Sequence, residues 1–541
     1  MKINQEIPPS PTPNMTDLKT LKKIVGDASV LTTMPDRIAY NADCWPRNLI
    51  LSRGQILHSN LPMAIVQPRT EKEISKIVKW AIKNQTPLVP FGAGSGVCGG
   101  TLSEPHGVVV DMKHFNQLLS IDAHSYRLHS QVGVIGMNLE TELQRQGFTL
   151  GHFPSSLYCS TLGGYLAGRS AGQFSTRYGK IEDMVESIRV VTGEGEVFTT
   201  GNDSIDVLQS FVGSEGTLGF ITEATMRIEP KATEQHYRGF EFDNIAAAIE
   251  AMRVLIQSGL RPAVLRLYDE FDSLIAKRKA GKSKSGMATK LVEKFEHLLP
   301  TQSASHIRDN VTAISKAVMG RVLGAPLILN TLVDALPAEC LLIIGFEGDG
   351  RIVEQEAKET FDLLGRRGID LGSGPGFHWL EHRMDVSFKQ SAMYVAGTYV
   401  DTMEVSTSWS MLESLYRNVR KAVSSQVFIM AHFSHAYEHG CSIYFTFVGY
   451  EEGLEKTLDA YSKTWDLALN AVQKSGASVA HHHGVGVSKS GFTQYDHKGG
   501  RPYFNVLKST FDPHQILNPG KVWPKAGVKG VDAWPNWEVS P

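Results

Sequence analysis

The sequence predicts an α+β protein of two domains, and three observations support that prediction. At 541 residues the chain exceeds the roughly 250–300 residues at which a single hydrophobic core stops growing. Short strand-like segments alternate with amphipathic helical segments through the first half. The glycines cluster at 92–100, 163–172 and 213–219, which puts three glycine-rich turns into one domain.

Composition narrows the class of protein. Hydrophobic residues make up 42% and charged residues 20%, as in ordinary soluble globular proteins. The formal net charge of −2 argues against a general nucleic-acid binder. Five scattered cysteines give neither a disulfide framework nor a CxxC metal pattern, so we expect a reducing, cytoplasmic location. We expect neither a signal peptide nor a spanning helix, because no apolar run reaches ~18 residues.

Local signals define the elements of the first domain. Thr70 and Glu73 form a capping box, which predicts the start of an amphipathic helix. The strand Pro87–Pro90 follows, and further strands are predicted over Leu128–Val134 and Glu186–Thr192.

The second half contains two apolar strands and a long helix. Leu341–Glu347 and Ser442–Val448 are predicted as strands and Glu452–Lys474 as a helix. The sequence changes in character after Lys231. We therefore divide the chain into 1–57, a tail and helical segment; 58–232, the first domain; 233–450, a cap or substrate domain; and 451–541, a C-terminal segment that returns to the site.

The glycine loop Pro90–Thr101 is typical of a nucleotide cradle. Five of the nine residues from Gly92 to Gly100 are glycines, so the backbone can adopt positive φ and approach a ligand closely. Successive N–H groups in such a turn can bind a pyrophosphate. A nicotinamide fingerprint fits poorly, because it needs a helix that opens at once. The stretch after Gly96 predicts no helix.

The histidine run His481–His483 precedes Gly484-Val485-Gly486 inside the chain, a setting that favours an active-site loop over a solvated surface. A metal site is the alternative, because three further histidines lie between 432 and 439. Tyr444, on an apolar strand, would by itself be interpreted as a core residue with a satisfied hydroxyl.

Three motifs carry a resemblance to a known family: the glycine loop, Pro154–Gly164 and Gly213–Ala224. Together they resemble the PCMH-type FAD-binding domain of the vanillyl-alcohol oxidase superfamily over roughly 58–232. The resemblance implies FAD, held without a covalent link, since Cys159 is expected to be a buried small apolar residue. It places the FAD contacts on Pro90, Phe91, Gly92, Ala93, Gly94, Ser95, Gly96, Ser155, Ser156, Leu157, Tyr158, Cys159, Ser160, Thr161, Gly168, Arg169, Ser170, Ala171, Glu215, Gly216, Thr217, Leu218, Gly219, Phe220 and Ile221.

The second half resembles the alkylglycerone-phosphate synthase family through Asp401–Trp409, Gly440–Phe445 and the histidine run. The spacing of 37 residues from Tyr444 to His481 agrees with that family. The resemblance implies exchange of the acyl group of acyl-dihydroxyacetone phosphate for a long-chain alcohol, through an adduct on flavin N5. Tyr444 would be the acid/base and His481, His482 and His483 would support it. That role requires neighbours that lower the pKa of Tyr444 from about 10 toward neutrality.

The substrate-binding residues match this family less well. The family's phosphate-binding arginine falls at Lys389 or Gln390, so Lys389 and Arg383 are the predicted substrate-binding residues. Phe511–Lys521 resembles the ending of flavin-linked 2-hydroxyacid dehydrogenases. An FAD-linked oxidase or dehydrogenase of a 2-hydroxyacid or alcohol therefore stays as the alternative. A flavin-binding protein without catalysis is the third interpretation, and the intact histidine run argues against it.

The expected partners follow from these interpretations. They are FAD and a small or lipid-like substrate, with no nucleic acid and no metal. The cap should present a largely apolar pocket over the flavin ring. The basic segment Ala276–Lys290, followed by the apolar-patterned Ile314–Leu336, could dock on anionic lipid at the membrane periphery. A homodimer is compatible with the sequence.

Overall fold

The computed structural model describes residues 15–53, 61–201, 207–273, 323–334, 339–385, 394, 398–497, 499–524 and 527–535. Ala276–Lys290, part of Ile314–Leu336, and Lys389 lie outside these ranges. The strands are β1 Val30–Leu31, β2 Ala64–Val66, β3 Leu88–Phe91, β4 Val108–Asp111, β5 Leu118–Asp122, β6 Arg127–Gln131, β7 Phe148–Thr149, β8 Val185–Thr192, β9 Val197–Thr199, β10 Gly219–Arg227, β11 Glu229–Pro230, β12 Glu234–Phe242, β13 Val264–Tyr268, β14 Cys340–Gly348, β15 Ile369–Asp370, β16 Thr398–Ser408, β17 Phe428–Tyr437 and β18 Gly440–Tyr450.

The helices surround these strands. They are α1 Met15–Val25, α2 Met34–Ala39, α3 Pro46–Arg53, α4 Glu71–Asn84, α5 Gly136–Arg145, α6 Leu162–Gly168, α7 Ser175–Tyr178, α8 Ile181–Met184, α9 Leu208–Phe211, α10 Ile245–Gln257, α11 Pro326–Asp334, α12 Gly350–Gly365, α13 Gly374–His382, α14 Trp409–Val423, α15 Leu454–Lys474, α16 Thr493–Asp496 and α17 Gly500–Phe511. Among the described helices, none is both long and apolar enough to cross a membrane.

The first sheet has the order β1-β2-β4-β3, with β2, β4 and β3 parallel. The predicted capping box is confirmed at the start of α4: Thr70 accepts from Glu73 N, and the Glu73 carboxylate accepts from Thr70 N. Such caps stabilise a helix by about 0.5–2 kcal/mol. The helix buries Ile74, Ile77 and Val78 in the core beneath this sheet. Since β3 ends at Phe91, the glycine loop starts at the carboxyl edge of the parallel strands.

The second sheet is antiparallel, in the order β5-β6-β10-β8-β9. The predicted strand Glu186–Thr192 and the turn after it are confirmed by β8 and β9. The strand predicted over 128–134 is shorter than expected, because β6 ends at Gln131. Beyond that end, Val132 N donates to Thr222 O and Gly133 N donates to Phe115 O.

The third sheet, β15-β12-β14-β13-β17-β18-β16, is antiparallel and lies over the second. One of its faces packs against α10, α14 and α15 in the largest core. The predicted apolar strands are confirmed as β14 and β18, and the predicted long helix as α15. The fold class is α+β, as predicted.

The C-terminal residues return to the first sheet. Leu88 N donates to Ile516 O at 2.8 Å, and Asn518 N donates to Leu88 O at 2.8 Å. Asn518 Nδ2 also donates to Gly100 O at 3.1 Å and to Glu215 O at 2.7 Å. The end of the chain therefore ties two of the glycine-rich turns together.

Candidate functional site

The glycine loop is held by close contacts that only glycine permits. Gly94 and Gly99 have φ of 64° and 75°, in the left-handed region. A Cβ on Gly92 would lie 2.5 Å from Thr161 Oγ1. Ser95 Oγ and Ser160 Oγ share a hydrogen bond of 2.7 Å. The first two predicted cofactor stretches therefore touch.

The other two stretches join them. Glu215 has a left-handed φ of 51°, and its N–H donates to Ala167 O at 3.0 Å, in α6. A Cβ on Gly216 would stand 2.6 Å from Pro90 Cγ, at the end of β3. Arg169, at the end of α6, packs against Gly213. All four predicted stretches thus converge, although they are spread over about 130 residues of sequence.

Side chains within this set differ in accessibility. Leu157, Leu218, Phe220 and Ile221 are buried in hydrophobic cores, so only their backbones could reach a ligand. Tyr158 is 53% exposed. The expectation that Cys159 is buried is wrong: the thiol is exposed in the loop before α6, where it donates to Ser156 O.

The N-terminal segment contributes a residue that the sequence did not single out. Asp43 is buried beneath the glycine loop, where its carboxylate accepts from Gly100 N at 3.1 Å and Trp45 N at 3.1 Å. Burial raises the pKa of Asp43 to about 7. Cys44 N also donates to Gly96 O at 2.8 Å. The only sequence signal is an acidic residue that follows Ala42 and precedes Cys44 and Trp45, and such a pattern is too common to be diagnostic.

The carboxylates of the buried Glu404 and the partly buried Glu215 hold the backbone of the histidine loop, residues 481–486. Glu404 of β16 accepts from His481 N at 2.5 Å and from His483 N at 3.0 Å. Glu215 accepts from Val485 N and, at 2.8 Å, from Gly486 N. The loop is therefore bound on one side by the third sheet and on the other by the turn before β10.

Glu404 forms a fully buried ion pair. Lys489 Nζ donates to Glu404 Oε1 at 2.8 Å and to its backbone oxygen at 3.1 Å. Burial raises the pKa of Glu404, but the Lys489 ammonium and the nearby His483 and His481 together outweigh it, so the pKa lies below its ordinary value. Burial lowers the pKa of Lys489, and the Glu404 carboxylate together with Cys98 and Asp401 outweighs it, so the pKa lies above its ordinary value. Both groups are therefore charged at neutral pH.

The strand face beside the histidine loop is polar. Tyr444 of β18 lies between Glu404 of β16 and His432 of β17 in the sheet register, so the three side chains share one face. The His432 ring stacks on Tyr444 at 4.6 Å, and Arg266 Nη2 lies 2.8 Å from His432 Nε2. The alternate residues face the apolar core. This face is polar, unlike the largely apolar pocket that the sequence predicts over the flavin ring.

The imidazoles form one cluster with Tyr444. Ring centroids are 5.1 Å apart for His481 and His482, 4.6 Å for His482 and His483, and 5.2 Å for His483 and Tyr444. Burial lowers the pKa of His481 and His483 to about 4 and that of His482 well below its ordinary value. These histidines are therefore neutral at pH 7.

The protein's own groups do not meet the requirement that neighbours lower the pKa of Tyr444. Burial raises the pKa of Tyr444 to about 12, and Asp401 adds to the shift, against opposing contributions from Thr402 and Arg266. The imidazoles beside Tyr444 are neutral, so they supply no positive charge that would lower its pKa. Tyr444 is therefore protonated at pH 7, and its hydroxyl is available as a hydrogen-bond donor.

His435 joins the cluster from a distorted strand. It forms a β-bulge in β17 between Ser434 and Ala436, with a left-handed φ of 54°. Its Nδ1 lies 2.7 Å from Ser175 Oγ, and its ring lies 4.5 Å from that of His482. Non-glycine residues adopt this conformation at a cost of order 1–3 kcal/mol, which is characteristic of functional sites.

The predicted substrate-binding residues are only partly accounted for. Arg383 follows α13, stacks on Phe174 at 5.5 Å and accepts at its backbone oxygen from Gln173 Nε2. Its Nε is buried and has no hydrogen-bond partner in the part of the chain that the structure describes. Lys389 lies outside the described residues. Arg266 is a further cation of the site that the sequence did not reveal. Among the described residues, no three His, Cys, Asp or Glu side chains are arranged to hold a metal ion.

The site has features that suit a bound dinucleotide. A Cβ on Gly168 would meet nothing within 4 Å, so open space borders the end of α6. His152 is buried with Nε2 at 2.7 Å from Ser170 Oγ, while its Nδ1 has no partner among the described residues. The buried Thr101 Oγ1, beside the glycine loop, likewise has none there. Unpaired buried groups of this kind are usually satisfied by a ligand or water.

Comparisons with known proteins agree with this geometry. Residues 62–201 match the family described as "FAD binding domain", and residues 231–522 match "FAD linked oxidases, C-terminal domain". The alkyldihydroxyacetonephosphate synthase of Dictyostelium discoideum is 31% identical over 497 residues, covering 88% of this chain and 76% of that protein. The glycolate oxidase subunit GlcD of Bacillus subtilis is 26% identical over 512 residues, covering 92% of this chain and 94% of that protein.

Solved structures share the fold. An alkyldihydroxyacetonephosphate synthase matches with a TM-score of 0.72 at 28% identity, covering 95% of this chain and 86% of that one. p-Cresol methylhydroxylase with substrate bound matches with a TM-score of 0.66 at 15% identity, covering 95% of this chain and 96% of that one.

Proposed function

Because this chain belongs to the family of FAD-linked oxidases, with the PCMH-type fold and an FAD cofactor, we propose that it is an alkylglycerone-phosphate synthase-like transferase. It would exchange the acyl group of acyl-dihydroxyacetone phosphate for a long-chain alcohol. The observation that carries the proposal is Tyr444, stacked on His432 and edge-on to His483. The 31% sequence identity to the Dictyostelium synthase, in an alignment that covers 88% of this chain, supports the proposal.

FAD would be held by the converging stretches around Gly92–Gly96, Ser155–Thr161, Gly168–Ala171 and Glu215–Ile221, without a covalent link. When bound, FAD supplies the isoalloxazine ring at which the substrate carbon reacts. His152, with its free Nδ1, would complete the polar contacts at the end of α6.

The protein's own groups would move the protons. A neutral imidazole of the histidine loop is a base and can take a proton from the substrate or the incoming alcohol. Tyr444, protonated because burial raises its pKa to about 12, can donate a hydrogen bond to the leaving carboxyl group, which departs as a carboxylate. At pH 7 a protonated phenol and neutral imidazoles therefore stand side by side, the phenol as a hydrogen-bond donor and an imidazole as the proton acceptor.

The phosphate needs a cation. Arg383 and Lys389 are the residues that the sequence predicts for this role. Arg266 borders Tyr444 through His432, and its planar fork can bind a phosphate bidentately, as a lysine cannot. We therefore add Arg266 to the proposed substrate-binding set.

A second function, oxidation of a 2-hydroxyacid or alcohol, is favoured by one observation. The neutral histidines could accept the proton of a substrate hydroxyl, and Arg266 could bind a substrate carboxylate. The glycolate oxidase subunit of Bacillus subtilis, similar over 94% of its length, supports this alternative.

An anaerobic flavin absorbance titration separates the two functions. Palmitoyl-dihydroxyacetone phosphate with hexadecanol should release fatty acid and leave the flavin oxidised. Tyr444→Phe should abolish that release while FAD stays bound. Tyr450→Phe, at the far end of the same strand, is the matched control and should keep full activity. Net two-electron reduction of the flavin by a 2-hydroxyacid, with no fatty acid released from the ester, would overturn the exchange proposal in favour of the second function.

A further inference from the structure

A surface cavity lies behind the histidine cluster. It has a volume of about 240 Å³ and is lined by the end of α10, by α7 and by the turn after β17. Exposed Gln257, Gly259 and Arg261 form its rim, and Thr176, Ala436 and Tyr437 lie in its wall. Tyr437 is thus the one residue of this wall whose ring also contacts the histidine loop, at 5.6 Å from His481.

A continuous set of hydrogen bonds leads inward from that wall. Tyr437 OH lies 3.1 Å from Ser175 Oγ, and Ser175 Oγ lies 2.7 Å from His435 Nδ1. Ser175 is 1% exposed, so its hydroxyl exchanges protons with these two partners and not with bulk solvent. The His435 ring in turn lies 4.5 Å from His482 and 5.4 Å from His481.

The backbone is distorted where this contact is made. A regular strand would place His435 on the face opposite to His432 and Ser434, because side chains alternate. The bulge at His435, with its left-handed φ of 54°, lets the imidazole meet Ser175 across the domain boundary. Burial lowers the pKa of His435 well below its ordinary value. The ring is therefore neutral, with one nitrogen free to accept and the other to donate.

We propose that Tyr437, Ser175 and His435 form a proton relay between the surface cavity and the histidine cluster. A proton moves inward when Ser175 Oγ gives its proton to His435 Nδ1, Tyr437 OH gives its own to Ser175, and water in the cavity restores Tyr437. His435 Nε2 releases a proton to the cluster in the same event. Each relay group ends with the number of protons it had, and the reverse sequence exports a proton.

The relay serves both candidate reactions, because each moves a proton in a site that a bound substrate closes. It rests on the proposal that the histidine cluster faces the flavin, but not on which substrate reacts there. A test that needs no reacting substrate therefore separates the relay from the proposed function. That test measures proton uptake when bound FAD is reduced. Two electrons from an external photochemical donor and one proton from solvent convert oxidised flavin to its anionic reduced form.

The experiment uses the full-length FAD-loaded protein with palmitic acid added to occupy the substrate side. Flash photoreduction is followed by flavin absorbance, and proton uptake by a pH-indicator dye, in H₂O and in D₂O. Ser175→Ala and Tyr437→Phe should each slow proton uptake by about 10-fold or more and enlarge its solvent isotope effect, in line with the usual contribution of a positioned proton-transfer group. Ser175→Thr, which keeps the hydroxyl, should restore the rate.

Ser442→Ala is the matched control. Ser442 is equally buried, but among the described residues its hydroxyl donates to Ser434 O and to no member of the relay, so the variant should leave uptake unchanged. Wild-type rates in both Ser175→Ala and Tyr437→Phe would overturn the relay. An equal loss in Ser442→Ala would do so too, because it would assign the effect to packing. If the wild type shows no fatty-acid exchange while the relay variants still take up protons slowly on photoreduction, the proposed function is overturned and the relay stands.

Discussion

The buried pair of Glu404 and Lys489 allows a prediction about the free energy of unfolding. Glu404→Gln keeps the side chain's size but leaves the Lys489 ammonium buried without its counter-charge. Removing one partner of a buried ion pair costs about 3–5 kcal/mol. Because domains are stable by only about 5–15 kcal/mol, that loss is a large fraction of the total. Gln also weakens the acceptors of His481 N and His483 N, so the histidine loop should loosen.

The assay is urea unfolding of the FAD-loaded protein, followed by circular dichroism and by release of FAD. Lys489→Met should cost a similar amount, because it leaves the carboxylate unpaired. The double variant should lose less than the sum of the two, by about 2 kcal/mol or more, since neither charge then remains buried alone. Glu413→Gln is the control. Its pair with Arg417 spans one helical turn on the surface and is worth about 0.5 kcal/mol.

Two outcomes would refute this reasoning. One is a Glu404→Gln variant that is no less stable than Glu413→Gln. The other is strict additivity of the two single changes, which would show that Glu404 and Lys489 do not interact in the folded protein.

Three further predictions follow from single residues. Burial lowers the pKa of His432 from 6.5 to about 4, so between those pH values the unfolded state binds more protons than the folded state. The free energy of unfolding should therefore fall as the pH drops from 6.5 to 4. In urea titrations, His432→Gln should remove up to about 3 kcal/mol of that fall. Gly486→Ala should release the histidine loop and lower the melting temperature, because a Cβ would lie 2.1 Å from Cys98 O. Gly453→Ala is the control: its φ is 91° and a Cβ would meet nothing within 4 Å, so it should lower the free energy of unfolding by only about 1–2 kcal/mol. Asp43→Ala leaves buried backbone N–H groups without an acceptor and should raise the Kd for FAD about 10- to 100-fold in a fluorescence titration.

Local chemistry explains why much of the fold was predictable. The capping box of Thr70 and Glu73 and the apolar runs that became β14 and β18 depend on neighbours in sequence. The glycine-rich turns were informative because the left-handed backbone at Gly94 and Gly216 favours glycine.

The charged contacts of the site were not predictable in the same way. Glu404 and Lys489 are 85 residues apart, and only the register of β16 against β18 places the carboxylate beside Tyr444. His435 was visible as a histidine, but its bulge depends on the pairing of β17 with β18. The direction in which the pKa of Tyr444 is shifted depends on burial, which the sequence does not give.

The two carboxylates on the histidine loop have a common physical cause. If three consecutive side chains point into an enclosed site, the backbone N–H groups between them point into the protein, where water cannot reach them. A buried N–H without an acceptor costs about 1–3 kcal/mol, and the loop carries four that Glu404 and Glu215 satisfy in pairs. A charged acceptor also makes a stronger hydrogen bond than a neutral one. Glu215 belongs to the turn that contacts the glycine loop, and Glu404 belongs to the strand beside Tyr444. Displacement of that turn or of that strand must therefore also displace the imidazoles. The cofactor cradle and the proposed acid–base groups are therefore positioned by one continuous set of bonds.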